Sequence, residues 1–204
     1  MRGFLLFATC LLLSAAALAV DKKPSCSFTV SPLRGESSIT GNRGSGLLNR
    51  SSSSQQLGTG SKTIERNLKW KVELRFREER PESLQLKAFY LGYSSDNKLV
   101  EIGKEQKSVE LDKNGRASVE LTSPTTRLTK TRSYTTSSSR YSGGFTSSKT
   151  TRSGQRVTGC VLQLFGDGEM LKSYASDSRW TVAAAKDPFS LSELTARSGK
   201  IGLR

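Results

Sequence analysis

The chain has 204 residues, with 32 Lys and Arg against 18 Asp and Glu, a formal net charge of +14 and no histidine. That length holds one domain, or one domain with long appendages, and a hydrophobic content of 34% falls below the globular norm of about 45–50%, so part of the chain carries no core of its own. Without histidine there is no Ser-His-Asp or Cys-His relay, no His-ligated zinc and no imidazole pH switch.

Residues 1–19 read as an export signal. Met1-Arg2 supplies a positive start, Phe4 to Leu18 is apolar apart from Thr9 and Ser14, and Ala17-Leu18-Ala19 has the small-x-small pattern of a cleavage site. An apolar run of about 15 residues reaches ~22 Å as a helix, short of a ~30 Å bilayer core, so no retained transmembrane helix is expected. The mature chain is expected to start just after Ala19 and to be secreted or periplasmic, an oxidising setting.

Cys10 leaves with the signal, and two cysteines remain. Both sit in alternating apolar contexts, Cys26-Ser-Phe28-Thr-Val30 and Cys160-Val-Leu162-Gln-Leu164. An even count in an exported chain points to a Cys26–Cys160 disulfide. The other reading is a loose arm bearing Cys26 and a buried free thiol at Cys160. Two thiolates alone leave a zinc site half empty, so no metal and no cofactor is expected.

Residues 20–62 read as a flexible Ser/Gly-rich arm, since 31–62 hold nine Ser and six Gly with no apolar periodicity. Gly58-Thr-Gly60-Ser-Lys62-Thr63 has the look of a phosphate loop, but Ser61 breaks the required Gly-Lys-Thr run and no strand leads in. It reads as linker.

A β-sandwich domain is expected over 63–186. Leu68, Trp70, Val72, Leu74 and Phe76 alternate with Lys69, Lys71, Glu73 and Arg75, the period of a half-buried antiparallel strand. Leu84 to Leu91 repeats the pattern, Asp96-Asn97 marks a turn, and Leu99 to Ile102 follows. Asn114-Gly115 predicts a hairpin joining 107–111 to 116–121, and Gly166-Asp167-Gly168 predicts another joining 157–165 to 169–175. Arg179 to Ala185 reads as a closing strand. About seven short strands predict an all-β, antiparallel sandwich, with a small closed barrel as runner-up. In the tail, 187–204, Ser190-Leu-Ser-Glu193 has capping-box spacing and predicts a short helix from about Leu191 to Arg197.

The ordering of Leu68-Lys-Trp70-Lys-Val72, the Leu86–Leu91 strand and the Val161–Phe165/Glu169–Lys172 hairpin resembles immunoglobulin-like and fibronectin-like sandwiches of exported bacterial proteins. The resemblance implies that fold and carries over no functional residue.

Within the domain, 122–156 is set apart as a disordered insertion with nine Ser, ten Thr, seven basic residues and no acid. It bears +7, whereas 63–121 bears +1 and 157–186 is neutral. Arg127, Lys130, Arg132, Arg140, Lys149, Arg152 and Arg156, interleaved with Tyr134 and Tyr141, form a candidate polyanion-binding segment that Lys69, Lys71 and Arg75 would extend. The alternative is a disordered loop whose charge serves only solubility. The acids fall at outward strand positions or in turns and form no paired catalytic site, so no enzyme is expected. Export disfavours intracellular nucleic acid and leaves an anionic glycan, an envelope polyanion or another exported protein as partner. Two functions stand side by side: a structural or interaction module, and a polyanion- or glycan-binding module.

Overall fold

The computed structural model describes residues 24–50, 53–77, 79–137, 145–192 and 194. The export signal, Arg140, Tyr141 and most of the expected 191–197 helix lie outside them, although Leu191, Ser192 and Leu194 are helical. Among the described residues no helix is long and apolar enough to cross a membrane.

The fold is all-β and sandwich-like, in two antiparallel sheets. Ten strands run in chain order: β1 Cys26–Leu33, β2 Ser37–Arg50, β3 Ser53–Arg66, β4 Lys69–Phe76, β5 Leu84–Ser94, β6 Leu99–Ser108, β7 Arg116–Thr122, β8 Thr126–Ser137, β9 Phe145–Gly166 and β10 Glu169–Ala175. One sheet has the order β1-β4-β7; the other runs β2-β3-β8-β9-β5-β6, with β10 also paired to β9.

The expected alternation of β4 holds. Trp70, Val72, Leu74 and Phe76 are buried and face Leu86, Ala88 and Tyr90 of β5 and Cys160, Leu162 and Leu164 of β9 in one core. The Trp70 and Tyr90 rings stack with centroids 5.8 Å apart. Burying each such large side chain stabilises the fold by about 1.5–3 kcal/mol. The opposite face of β5 and β9 is covered as well. There Leu91 and Val161 meet Trp180, Ala183, Ala184 and Leu194. The amide of Gln163, fully buried on that face, donates to the carbonyls of Ala184 (2.9 Å) and Lys186 (2.6 Å) and ties down the helical segment.

That segment corrects the expected closing strand. Ser178–Trp180 is a 3₁₀ turn and Thr181–Ala184 a short helix, α1. Trp180, Ala183 and Ala184 stand at helical spacing and supply its buried face. The Asp177 side chain accepts from the Arg179 N–H and caps the start.

The Asn114-Gly115 turn also behaves differently from its reading. Gly115 has φ of 71° and its N–H donates to the Asp112 carbonyl at 2.9 Å, so the turn forms. The flanking strands nevertheless part, β6 joining β5 and β7 joining β4. Val109 is buried and Leu111 packs on the core between them, which turns the connection into a crossing from sheet to sheet. By contrast Gly166-Asp167-Gly168 closes the expected β9–β10 hairpin, with φ of 50° at Asp167 and 87° at Gly168.

The largest correction concerns the arm and the insertion. Over their described residues, 20–62 and 122–156 are extended strands rather than flexible or disordered segments. At 34–36, 67–68 and 123–125 three neighbouring strands leave the small sheet together, and β1-β4-β7 continues as β2-β3-β8. The first half of β9 completes a four-stranded ribbon about 40 Å long.

Buried polar side chains hold this corner. Asn67 Oδ1 accepts from the Glu36 N–H (2.8 Å), and Ser123 Oγ from the Leu68 N–H (2.9 Å). Thr126 Oγ1 donates to the Arg66 carbonyl (3.0 Å) and accepts from the Val157 N–H (3.1 Å). Apart from Gln163, these three are the buried polar residues among the described ones. On the far side of the corner β9 exchanges β8 for β5 at Gly154, where φ is 95° and a Cβ would stand 2.1 Å from the Arg127 carbonyl oxygen. Gly154→Ala is therefore expected to lower stability by about 2–3 kcal/mol, seen as a fall in the urea midpoint.

Cys26 and Cys160 are free thiols, which corrects the expected disulfide. Cys26 stands opposite Phe76 at one end of β4 and feels the charge of Lys172, which pairs with Leu164. Cys160 is buried on β9, four residues along the strand from the Leu164 that Lys172 faces.

Candidate polyanion-binding face

Directly opposed residues in antiparallel strands share a face, and successive residues alternate. In the ribbon, Lys62 of β3 stands opposite Lys130 of β8, which stands opposite Arg152 of β9. Three cations thus form one row across three strands. Arg132 extends the same face one pleat further, opposite Gly60 and Thr150, and Tyr134 one pleat beyond that, opposite Ser148. Lys62, Lys130, Arg132, Tyr134 and Arg152 are all exposed.

The glycine at position 60 shapes this surface. A Cβ there would lie 3.7 Å from Tyr134 Oη, so the phenol reaches across a bare stretch of β3. The result is a flat aromatic plate beside four cations. Towards the corner the same face carries Ile64 and Leu128, half-buried, and Ile39, which is exposed.

Neighbouring Cβ atoms in such a row lie about 4.5–5.5 Å apart, and like charges directly opposite one another destabilise a sheet. No carboxylate on the face relieves that repulsion. Glu65, the acid within β2, β3, β8 and the first half of β9, projects from the other face, opposite Arg127. Its carboxylate accepts from Arg127 Nε at 2.7 Å and from Nη2 as well. Arg127 is thereby neutralised and removed from the basic face.

The candidate residues divide accordingly. Lys130, Arg132, Arg152 and Tyr134 come together. Lys149, opposite Ser133, lies on the reverse face with Arg127. Arg156 stands past Gly154 opposite Tyr93, in the half of β9 that belongs to the sandwich. Of the three cations on β4, Lys69 is paired with Glu36 (3.0 Å) and Lys71 with Glu73 (2.7 Å), and Arg75 faces outward from the small sheet. They do not extend the row. Lys62 is the member that sequence reasoning set aside with the linker. Its signal was the two-residue alternation shared by Lys62/Ile64 and Leu128/Lys130/Arg132/Tyr134, which is a strand period written in charge rather than in apolar residues.

The reverse face is a lattice of hydroxyls. Thr63 stands opposite Thr129, their Oγ1 atoms 3.1 Å apart, and Thr129 stands opposite Ser153. Ser61, Thr131 and Thr151 form the next row. The ribbon therefore has one cationic face and one nearly neutral one. Comparison with protein-family models, with curated proteins and with solved structures finds no match.

Proposed function

We propose that this chain is an exported, non-enzymatic, immunoglobulin-like β-sandwich module that binds an extended polyanion, an anionic glycan above all, on the cationic face of its ribbon. The unrelieved row Lys62–Lys130–Arg152 carries this reading. A protein stabilised only by its own contacts gains nothing from three opposed cations, whereas an anion laid along the row turns their repulsion into attraction. Tyr134 offers a ring on which a sugar can rest, and the open face suits a chain rather than a small molecule. The export reading rests on residues 1–19, and the non-enzymatic reading on the absence of histidine and of a nucleophile–base pair.

Chromatography tests it. On an immobilised sulfated polysaccharide the wild type is expected to elute late in a salt gradient and K62Q/K130Q/R152Q early. R127Q/K149Q, which alters the reverse face by two charges, is expected to elute close to the wild type. Co-elution of the triple variant with the wild type would overturn the reading. An immobilised DNA column run in parallel asks whether charge alone or the sugar chain governs retention.

A further inference from the structure

Outside the ribbon, a groove of about 650 Å³ opens on the outer face of β1-β4-β7. Ser27, Arg75 and Arg116 form one cross-strand row along its floor, so the two guanidinium groups rise side by side. Their Cβ atoms lie about 4.5–5.5 Å apart, the reach of a two-armed clamp on one oxyanion. Among the described residues neither arginine has a carboxylate within 4.0 Å.

The facing wall is acidic and firmly held. Val109, buried, donates its N–H to the Leu84 carbonyl at 2.9 Å and fixes the root of the 109–115 loop. Glu110 follows, exposed, and lines the groove. Asp112 Oδ1 accepts from the N–H groups of Asn114 and Arg116, each at 2.8 Å, which locks the turn. Arg80 Nη1 donates to the Lys113 carbonyl at 3.1 Å and braces it from outside. Glu73 is occupied by Lys71. Glu110, unlike Glu73 and Asp112, is not engaged by the protein's own hydrogen bonds or ion pairs, and it has no basic partner within 4.0 Å among the described residues.

Two arginines and three carboxylates thus line a single groove, and neither arginine closes on an acid within 4.0 Å among the described residues. A bare polyanion would be repelled by the acidic wall and a simple cation by the arginines. We propose that the groove binds a compact zwitterion of amino-acid or dipeptide size, its carboxylate on Arg75 and Arg116 and its ammonium on Glu110. The volume lies in the range of small-molecule sites, about 300–1,000 Å³. The site is separate from the ribbon face and independent of it.

Calorimetric titration of the mature protein would use four probes: alanylalanine, N-acetylalanine, alaninamide and inorganic phosphate. Alanylalanine is expected to bind with Kd tighter than about 1 mM, and each other probe at least about tenfold more weakly, 1.4 kcal/mol. R75Q/R116Q is expected to lose the binding, and E110Q to reduce alanylalanine to the level of N-acetylalanine. All three residues are exposed, so the variants should keep the wild-type thermal melt; K149Q, on the reverse face of the ribbon, should bind as the wild type does. N-acetylalanine or phosphate binding as tightly as alanylalanine would overturn the proposal. So would unaltered binding by R75Q/R116Q, or no heat from the wild type at millimolar probe.

Discussion

Neutralising Lys62, Lys130 and Arg152 together is expected to abolish most of the salt dependence of polyanion binding. Each cation that displaces a condensed counterion contributes about 0.9 to the slope of log K against log salt on a duplex of B-DNA charge density. Four cations, with Arg132 included, give a slope near −3.6, or roughly a hundredfold loss of affinity between 50 and 200 mM salt. Arg132 alone gives about −0.9, or roughly a fourfold loss over the same interval. Fluorescence titration of a labelled duplex or a labelled sulfated oligosaccharide at several salt concentrations measures both slopes. A steep slope that survives in K62Q/K130Q/R152Q would place binding elsewhere. The same variant carries a second expectation. Because the three residues repel one another across the sheet, their removal should leave thermal stability equal to the wild type's or slightly higher. A row kept for packing would show the reverse, a loss of stability with little change in binding.

How much of this was legible depended on what each strand buries. The central strand of the small sheet announced itself because Trp70, Val72, Leu74 and Phe76 alternate with charge, and one face of that strand does cover the core. The β9–β10 hairpin was equally plain, since Asp167 and Gly168 hold the positive φ values such a turn requires. The ribbon gave no apolar alternation because, among the residues whose side chains are described, neither of its faces contributes to either core cluster. Its strands are specified by backbone pairing, by β-branched threonines and by the corner built on Asn67, Ser123 and Thr126. Those three residues look like ordinary polar loop residues until three strands are seen to turn together around them. Trp180, Ala183 and Ala184 show the converse failure: Arg179 to Ala185 reads as a closing strand, while its buried positions follow a helical spacing. For the candidate site, the sign and location of the charge were readable in 122–156. Its division between two faces was not, because that division depends on register with β3.

Raising the pH above 9 is expected to destabilise the fold steeply, for a reason lodged in the core rather than on the ribbon. Burial pushes the Cys160 thiol well above its ordinary value of 9.0. Burial likewise pushes the Tyr90 phenol above its ordinary 10.0, helped by its 2.8 Å hydrogen bond to Glu105, whose negative charge adds to the effect. Both groups stay protonated in the folded chain at a pH where the unfolded chain releases the protons. Their contribution to stability is thus complete below the unfolded values and declines as pH rises through and beyond them. The slope is about −1.4 kcal/mol per pH unit for each group, so between pH 9 and 11 the two together remove roughly 4 kcal/mol. That is a large share of a typical domain stability of about 5–15 kcal/mol. Urea midpoints at pH 7, 9, 10 and 11 measure it. Cys160→Ala should start less stable, since it leaves a cavity, yet lose stability more slowly above pH 9. Tyr90→Phe should flatten the curve above pH 10. Slopes unchanged in both variants would refute the assignment. Net charge makes the opposite prediction, which is what gives the experiment its force. The chain carries +14 at neutral pH and reaches zero near its pI of about 10.0, so relief of self-repulsion alone would stabilise the fold up to about pH 10. A fall in stability while the net charge is vanishing therefore reports on the buried thiol and phenol.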